Sequence, residues 1–216
     1  MKFYNSLGPN PRLVRMFMAE KGIDIPTQEI DIMGGENRRP PYTDANPAGQ
    51  MPALELDSGA VIAETVAICE YLEDIQPSPA LIGATPEERA ETRMWTWRIE
   101  LNIGEPLANG FRYAEGLAMF KDRIHVIPDA ADDMKAIARE RLAWLDGLTQ
   151  GREYLAGSRF TLADIVLYAF LDFGAGVGQP LDPGLEQLGA WFARVNERPS
   201  AEASLHPAAK AGGMRA

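Results

Sequence analysis

Three stretches of this 216-residue chain combine residue types able to hold a ligand. The first is Asn46-Pro47-Ala48-Gly49-Gln50-Met51-Pro52-Ala53-Leu54. A proline at the mouth of a strand is a candidate cis bond, because only X-Pro bonds make the cis form cheap. A cis Met51-Pro52 bond would leave the N–H and C=O of Met51 outside the sheet, free to pair with an extended peptide. A trans proline opening an edge strand fits the same letters. The second stretch is Glu64-Thr65, at a turn from strand to helix. Thr65 suits the N-cap of that helix. The same helix end, with its free N–H groups and the Thr65 hydroxyl, also suits a ligand carboxylate, and Glu64 an adjacent ammonium. One acceptor of each sign fits an amino-acid zwitterion. The third is Ser6-Leu7-Gly8-Pro9-Asn10-Pro11-Arg12, leading into a helix. Asn10 then Pro11 reads as an N-cap followed by the first helical residue. A helix N-terminus also stabilises a nearby thiolate, lowering a thiol pKa from its ordinary value of about 8.5.

The elements that must position these stretches divide the chain into two halves. In residues 1–76, Lys2-Phe3-Tyr4 and Thr27 to Ile32 read as strands, the second by period-two alternation. Pro52 to Leu56 and Ala60 to Ala63 are two more, joined at hairpin length by Asp57-Ser58-Gly59. Arg12 to Lys21 carries a helical stripe of Leu13, Val14, Phe17 and Met18, which Gly22 stops. Thr65 to Ile75 is another helix. The order is β-α-β, an irregular stretch, then β-β-α.

Gln76-Pro77-Ser78-Pro79 ends that half as a helix stop and linker. Helices alone follow. Thr85-Pro86-Glu87-Glu88 has the form of a capping box, opening a helix expected to kink or break at Gly104-Glu105-Pro106. Pro128 opens a second long helix, to about Leu145. Thr161 and Asp164 form another capping box, with Phe160 placed to staple onto Ile165. A last helix spans about Leu185 to Asn196, and the tail from Ala208 to Ala216 is expected to fray. Domains are expected at 1–77 and 86–216.

Composition narrows the function classes. With 31 acidic and 21 basic residues, the net charge is −10, which lacks the basic footprint of a nucleic-acid binder. The single cysteine, Cys69, has no intrachain disulfide partner, and two histidines, His125 and His206, make no His-rich metal site. The longest clean apolar run, Ile165 to Leu171, falls far short of the roughly 20 residues of a membrane span. Met1 to Asn5 has no signal-peptide core, so a cytoplasmic protein without metal, membrane or nucleic-acid partners is expected.

Together the motifs resemble those of cytosolic glutathione transferases, over nearly the whole chain. Asn46 to Leu54 is similar to the family's cis-proline motif, and Glu64-Thr65 stands where the family has Glu-Ser. Thr161-Leu162-Ala163-Asp164 resembles the capping box of its buried C-terminal helix. Gly35-Glu36-Asn37-Arg38-Arg39-Pro40 is similar to the Gly-Glu-His-Lys-x-Pro stretch of phi-type members, with asparagine replacing histidine. The resemblance implies an α+β thioredoxin-like domain with a four-stranded mixed sheet, then an all-α domain. It implies a homodimer, with glutathione as co-substrate and detoxification as the role. Glutathione would pair its cysteinyl backbone with Met51 ahead of cis-Pro52. Its γ-glutamyl head would lie at Glu64 and Thr65, and its glycine carboxylate near Gln50 with Asn37 or Arg38. The second substrate, a small hydrophobic electrophile, would enter a cleft walled by the Ser6–Asn10 loop and by Phe111, Arg112, Tyr113 and Met119. Core packing suits Trp95 and Trp97 better than Tyr113.

Family members usually activate the thiol with Tyr, Ser or Cys. Here Gly8 stands at the serine position, Asn10 at the cysteine position, and Tyr4 is too early in the first strand. The Gly-Pro-x-Pro entry resembles atypical fungal and bacterial members lacking all three. The histidine some of those use is absent from Phe111-Arg112-Tyr113-Ala114. Asn10, helped by the amides of the first helix, is the first candidate to hold the thiolate, and Ser6 the second. Asn10 equally suits plain capping, and Cys69 reads as a buried hydrophobe. Arg12, Arg15, Arg38 and Arg39 are expected to offset the acidic charge for an anionic ligand. Conjugation, ether cleavage or isomerisation fits this reading. A glutathione-dependent disulfide reductase and a non-catalytic interaction module are the alternatives.

Overall fold

In the computed structural model, which describes residues 1–212, four short strands form one mixed sheet in the order β2-β1-β3-β4. β1 (Lys2–Asn5) pairs in parallel with β2 (Thr27–Glu29) and antiparallel with β3 (Ala53–Glu55), and β3 pairs antiparallel with β4 (Val61–Ala63). α1 (Pro9–Lys21) crosses from β1 to β2, ended by Gly22 in the left-handed region at φ 64°. A 3₁₀ turn (Glu36–Arg38) and α2 (Tyr42–Ala45) occupy the stretch that looked irregular. α3 (Thr65–Ile75) closes the unit.

In the first unit two boundaries differ from expectation by two residues or more. α1 begins at Pro9, not Pro11, with Gly8 at the N-cap. Gly8 adopts φ 132°, open to glycine and strained for other residues, and Pro9 then supplies helical φ. Asn10 is therefore inside the first turn and is not the cap. β2 ends at Glu29, three residues early, because the chain turns beyond Ile30: Asp31 accepts a hydrogen bond from Gly34 N–H at 2.8 Å.

The segment after α3 is pinned. Buried Lys21 donates to the carbonyls of Gln76 (2.6 Å) and Pro79 (2.7 Å) and ion-pairs with buried Glu73. Glu73 in turn accepts from the N–H groups of Leu81 (3.3 Å) and Ile82 (2.9 Å).

The second unit holds α4 (Pro86–Ile99), α5 (Glu105–Tyr113), α6 (Leu117–Phe120), α7 (Ala131–Leu148), α8 (Leu162–Gly176), α9 (Glu186–Asn196), α10 (Pro199–Ala203) and α11 (Pro207–Gly212). The Thr85 capping box is present. The kink expected at Pro106 takes the form of a π-helical turn over Glu100–Gly104, one turn ahead of it. Proline removes the N–H that would bond residue 102 and crowds the preceding turn, so that turn widens. A 3₁₀ turn at Pro128–Ala130 precedes α7, and α9 is not the last helix. The tail expected to fray is helical as far as Gly212, and residues 213–216 lie outside the described part.

α8 is the central post, buried along most of its length. Asp164 at its start accepts from Thr161 N–H (2.9 Å), the Thr161 hydroxyl (3.1 Å), Leu155 N–H (3.0 Å) and Trp191 Nε1–H (2.8 Å). Phe160 faces Tyr154 and lies under the Arg198 guanidinium. Trp95 is buried as expected, whereas Trp97 is 58% exposed. Residues 95 and 97 differ by about 200° around a helix, so one face cannot bury both. No described helix is long and apolar enough to cross a membrane.

Candidate functional site

The Met51-Pro52 peptide is cis. Met51 takes no part in the sheet register, which begins at Ala53 opposite Tyr4. The carbonyl just before it is fixed, since Gln50 C=O accepts from Tyr42 Oη–H (2.5 Å) and Asn46 Nδ2–H (2.9 Å). Tyr4, packed edge-on against Tyr42, donates to Glu55 at 2.6 Å and so serves the scaffold. Gly49, at φ 61°, lets the 3₁₀ turn approach: Asn37 Nδ2–H donates to its carbonyl at 2.6 Å, and a Cβ there would lie 2.8 Å from Asn37 O. Asn37 Oδ1 and Arg38 Nε are buried without protein partners. Such atoms cost free energy unless a ligand or water meets them.

Glu64 adopts φ 68° and ψ 125°, the one positive φ at a non-glycine residue among those described. Strain of this kind, roughly 1–3 kcal/mol, collects at functional sites. Glu64, not Thr65, occupies the N-cap of α3, and no side chain caps that end. Thr65 is the first helical residue, so its hydroxyl and the neighbouring N–H groups remain available.

At α1, two prolines strip the first turn of N–H groups, and Arg12 N–H bonds Gly8 C=O at 3.2 Å. The N–H of Asn10 is left as that turn's unpaired donor, and its side-chain amide also has no partner among the described residues. Ser6 is placed differently. It is 1% exposed, its hydroxyl donates to Leu7 C=O at 3.2 Å, and its carbonyl accepts from Arg15 at 3.0 Å.

Two neighbouring cavities, of about 490 and 610 Å³, meet along Asn10, Gln50, Glu105, Arg112 and Phe170. The larger is bordered by Glu64, Thr65, Glu70, Arg93 and Glu100. Burial, and then Glu105 and Glu64, push the Glu100 carboxyl pKa up. The smaller is bordered by Asn37, Arg38 and Met51 on the sheet side, and by Phe111, Arg112 and Met119 on the helical side. One end of this continuous cleft is thus acidic and the other basic.

Of the thirteen residues singled out from sequence, ten border the cleft. Pro52 borders neither cavity but sets the Met51 backbone. Ser6 and Tyr113 border neither. Arg12 and Arg15 do not offset ligand charge at the cleft. Arg12 is fully buried against Asp172 of α8, Tyr168 and Ala201 C=O, and Arg15 donates to Ser204 C=O and Asn5. Arg15 has its pKa lowered to about 10 by burial and by Arg12. Cys69 is fully buried, its thiol pushed well up by that burial, which makes it inert. Sequence reasoning missed Arg123, Glu100, Glu105, Phe170 and Phe173. Glu100 opens the π-helical turn and Glu105 follows it, and the two phenylalanines lie in a helix buried on almost every side.

A four-stranded mixed sheet whose inner strand β3 follows a cis-proline, an uncapped helix N-terminus, and a helical unit across a cleft define a thioredoxin-like architecture. Residues 8–75 match the glutathione S-transferase N-terminal domain, and residues 123–199 the C-terminal domain. Glutathione S-transferase 2 of Saccharomyces cerevisiae is 32% identical over 200 residues, 92% of this chain and 86% of that one. Maleylacetoacetate isomerase of Pseudomonas aeruginosa is 32% identical over 171 residues, 78% of each chain. The crystal structure of a glutathione S-transferase domain-containing protein from Marinobacter aquaeolei superposes with a TM-score of 0.87 at 38% identity, covering 93% of this chain and 99% of that one. The chain belongs to the cytosolic glutathione transferase family.

Proposed function

We propose that the protein joins the sulfur of glutathione to a small electrophile with a hydrophobic body, holding the thiolate at Asn10. The polarity of the cleft carries this reading. Glutathione has a zwitterionic γ-glutamyl head and an anionic glycine end, and the cleft runs from Glu64, Thr65 and Glu100 to Gln50, Asn37 and Arg38. Its extended middle meets Met51, whose backbone lies outside the sheet register. The sulfur falls where the two cavities join, beside the unpaired donors of Asn10. They stabilise the thiolate without removing a proton, which leaves to water. The thiolate then forms the C–S bond while the electrophile's leaving group departs with its electron pair. Ser6 is a weaker candidate, because its hydroxyl is already engaged and outside the cavities.

The same reading includes a homodimer. Trp97 and Leu101 border the acidic end of the cleft with 58% and 61% of their surface exposed, and Met94, one helical turn before Trp97, exposes 41%. That apolar strip suits a two-fold contact. A light-scattering mass of a single chain at micromolar concentration would remove the dimer from the account.

Calorimetry with glutathione, followed by parallel assays of halonitroarene conjugation and of mixed-disulfide reduction, tests the main reading. Glutathione binding and faster conjugation are expected. Binding with disulfide reduction alone would replace the transferase by a reductase, and no binding would remove the enzyme.

A further inference from the structure

The chain carries a net charge of −10, yet the smaller cavity concentrates the opposite sign. Arg38, Arg112 and Arg123 border it with two glutamates, Glu105 and Glu115. Glu115 is already held by Lys135 at 2.6 Å. Glu105 is a loose partner, 3.7 Å from Arg112 and also bonded by Asn109 at 3.3 Å. Arg123 donates only to neutral carbonyls, those of Ile32 (2.6 Å) and Met33 (2.9 Å). Arg38 donates to Ala48 C=O at 3.3 Å, and no carboxylate among the described residues ion-pairs with either guanidinium. The three cations feel one another: burial lowers the Arg38 pKa first, then Arg123 and Arg112. Like charges gathered around a partly closed cavity repel unless an anion joins them.

Glutathione's glycine carboxylate accounts for one of the three, Arg38. Arg112 and Arg123 belong to the helical unit: Arg112 stands where the two cavities meet, and Arg123 reaches across to the Ile32 and Met33 carbonyls. The wall beside them is aromatic. Phe111 stands edge-on to Phe120 (6.1 Å) and to Phe173 (5.1 Å), and the Arg112 guanidinium lies 5.9 Å from the Phe120 ring centre. Ring surface with two incompletely neutralised guanidiniums is the complement of an aromatic acid.

We propose that the second substrate is an aromatic compound bearing a carboxylate, with Phe111, Phe120 and Phe173 receiving the ring and Arg112 and Arg123 the carboxylate. This rests on the transferase reading, which supplies both the role of second substrate and the assignment of Arg38 to glutathione. Arg112 and Arg123 thereby determine specificity, favouring an acidic electrophile over its neutral counterpart.

The test compares calorimetric binding of 2-naphthoate and its neutral amide, 2-naphthamide, to the full chain with saturating glutathione. The wild type is expected to bind the acid at least tenfold more tightly. The double variant Arg112→Gln/Arg123→Gln is expected to bring the two within about twofold, mainly by weakening the acid. Because Arg123 also holds the Ile32–Met33 loop, retained amide binding shows an intact cavity, and Arg123→Lys should preserve part of the preference. Equal affinities in the wild type would overturn the proposal, as would equal losses of both ligands in the double variant. Displacement of glutathione by naphthoate would also overturn it, placing the acid in glutathione's own subsite. A wild type that fails to bind glutathione would sink the transferase reading, whereas one that binds glutathione without preferring the acid would overturn this inference alone.

Discussion

At the scale of single residues, the site is built from groups left without partners. Asn37 Oδ1 and Arg38 Nε are buried without partners, the Asn10 and Thr65 side chains make no hydrogen bond to a described residue, and all four residues border the cleft. Glu100 shows the cost in charge. Its carboxyl is raised by burial and by Glu105 and Glu64, so the folded protein holds that proton more tightly than the unfolded chain. Stability therefore falls as pH rises from the unfolded carboxyl value, about 4.3, through the higher folded one. Glu100→Gln is expected to raise the urea midpoint at pH 7 and leave it almost unchanged below pH 4. Saturating glutathione should shrink the gain at pH 7, because its ammonium favours the ionised carboxylate. A variant no more stable than wild type at pH 7 would mean Glu100 is adequately solvated.

At the scale of elements, the π-helical turn at Glu100–Gly104 shapes the cleft. Gly104 is what allows α8 to approach, since a Cβ there would lie 3.0 Å from the Phe170 ring, and Phe170 borders both cavities. Gly104→Ala must shift that ring. It is expected to change KM for the electrophile by about threefold or more while glutathione affinity stays within twofold, read from steady-state kinetics and calorimetry. Equal effects on both ligands would show a general loss of packing instead.

Those elements were unequally legible in the sequence. α3, the hairpin strands and the Thr85 and Asp164 capping boxes followed from local rules, because caps, turns and periodicity act within a few residues. Glu64, Thr65 and Met51 stood out for the same reason, and Gln50 only through the family resemblance. Arg123 did not, since its role depends on a loop some ninety residues earlier folding back to meet it. The fate of Trp97 was equally tertiary: helical spacing separates it from Trp95, but only packing decides which of the two goes inside. Asn10 reads as a helix-entry residue suited equally to the cap and to a thiolate, but Gly8 at φ 132° starts the helix two residues early and excludes the cap.

At the scale of the whole molecule, the two units are tied by charges buried between them. Arg12 of α1 ion-pairs with Asp172 of α8 and approaches the Tyr168 ring at 5.1 Å. Such a pair adds little over an apolar replacement, but removing one partner strands the other. Arg12→Ala is expected to cost roughly 3–5 kcal/mol in urea unfolding, and Arg12→Met with Asp172→Leu considerably less. A single-variant loss below about 1 kcal/mol would show that water or rearrangement reaches Asp172, contrary to the buried tie. That tie also sets the cleft, because it anchors the helix bearing Asn10 to the helix bearing Phe170 and Phe173.

The account's central claim is that Asn10 holds the thiolate, and ultraviolet titration of bound glutathione tests it most directly. The thiol should ionise at least one unit below its ordinary value of about 8.5 in the wild type, and most of that depression should vanish in Asn10→Ala while glutathione still binds. A bound thiol that titrates as it does in water, or a depression that survives Asn10→Ala intact, would contradict the claim.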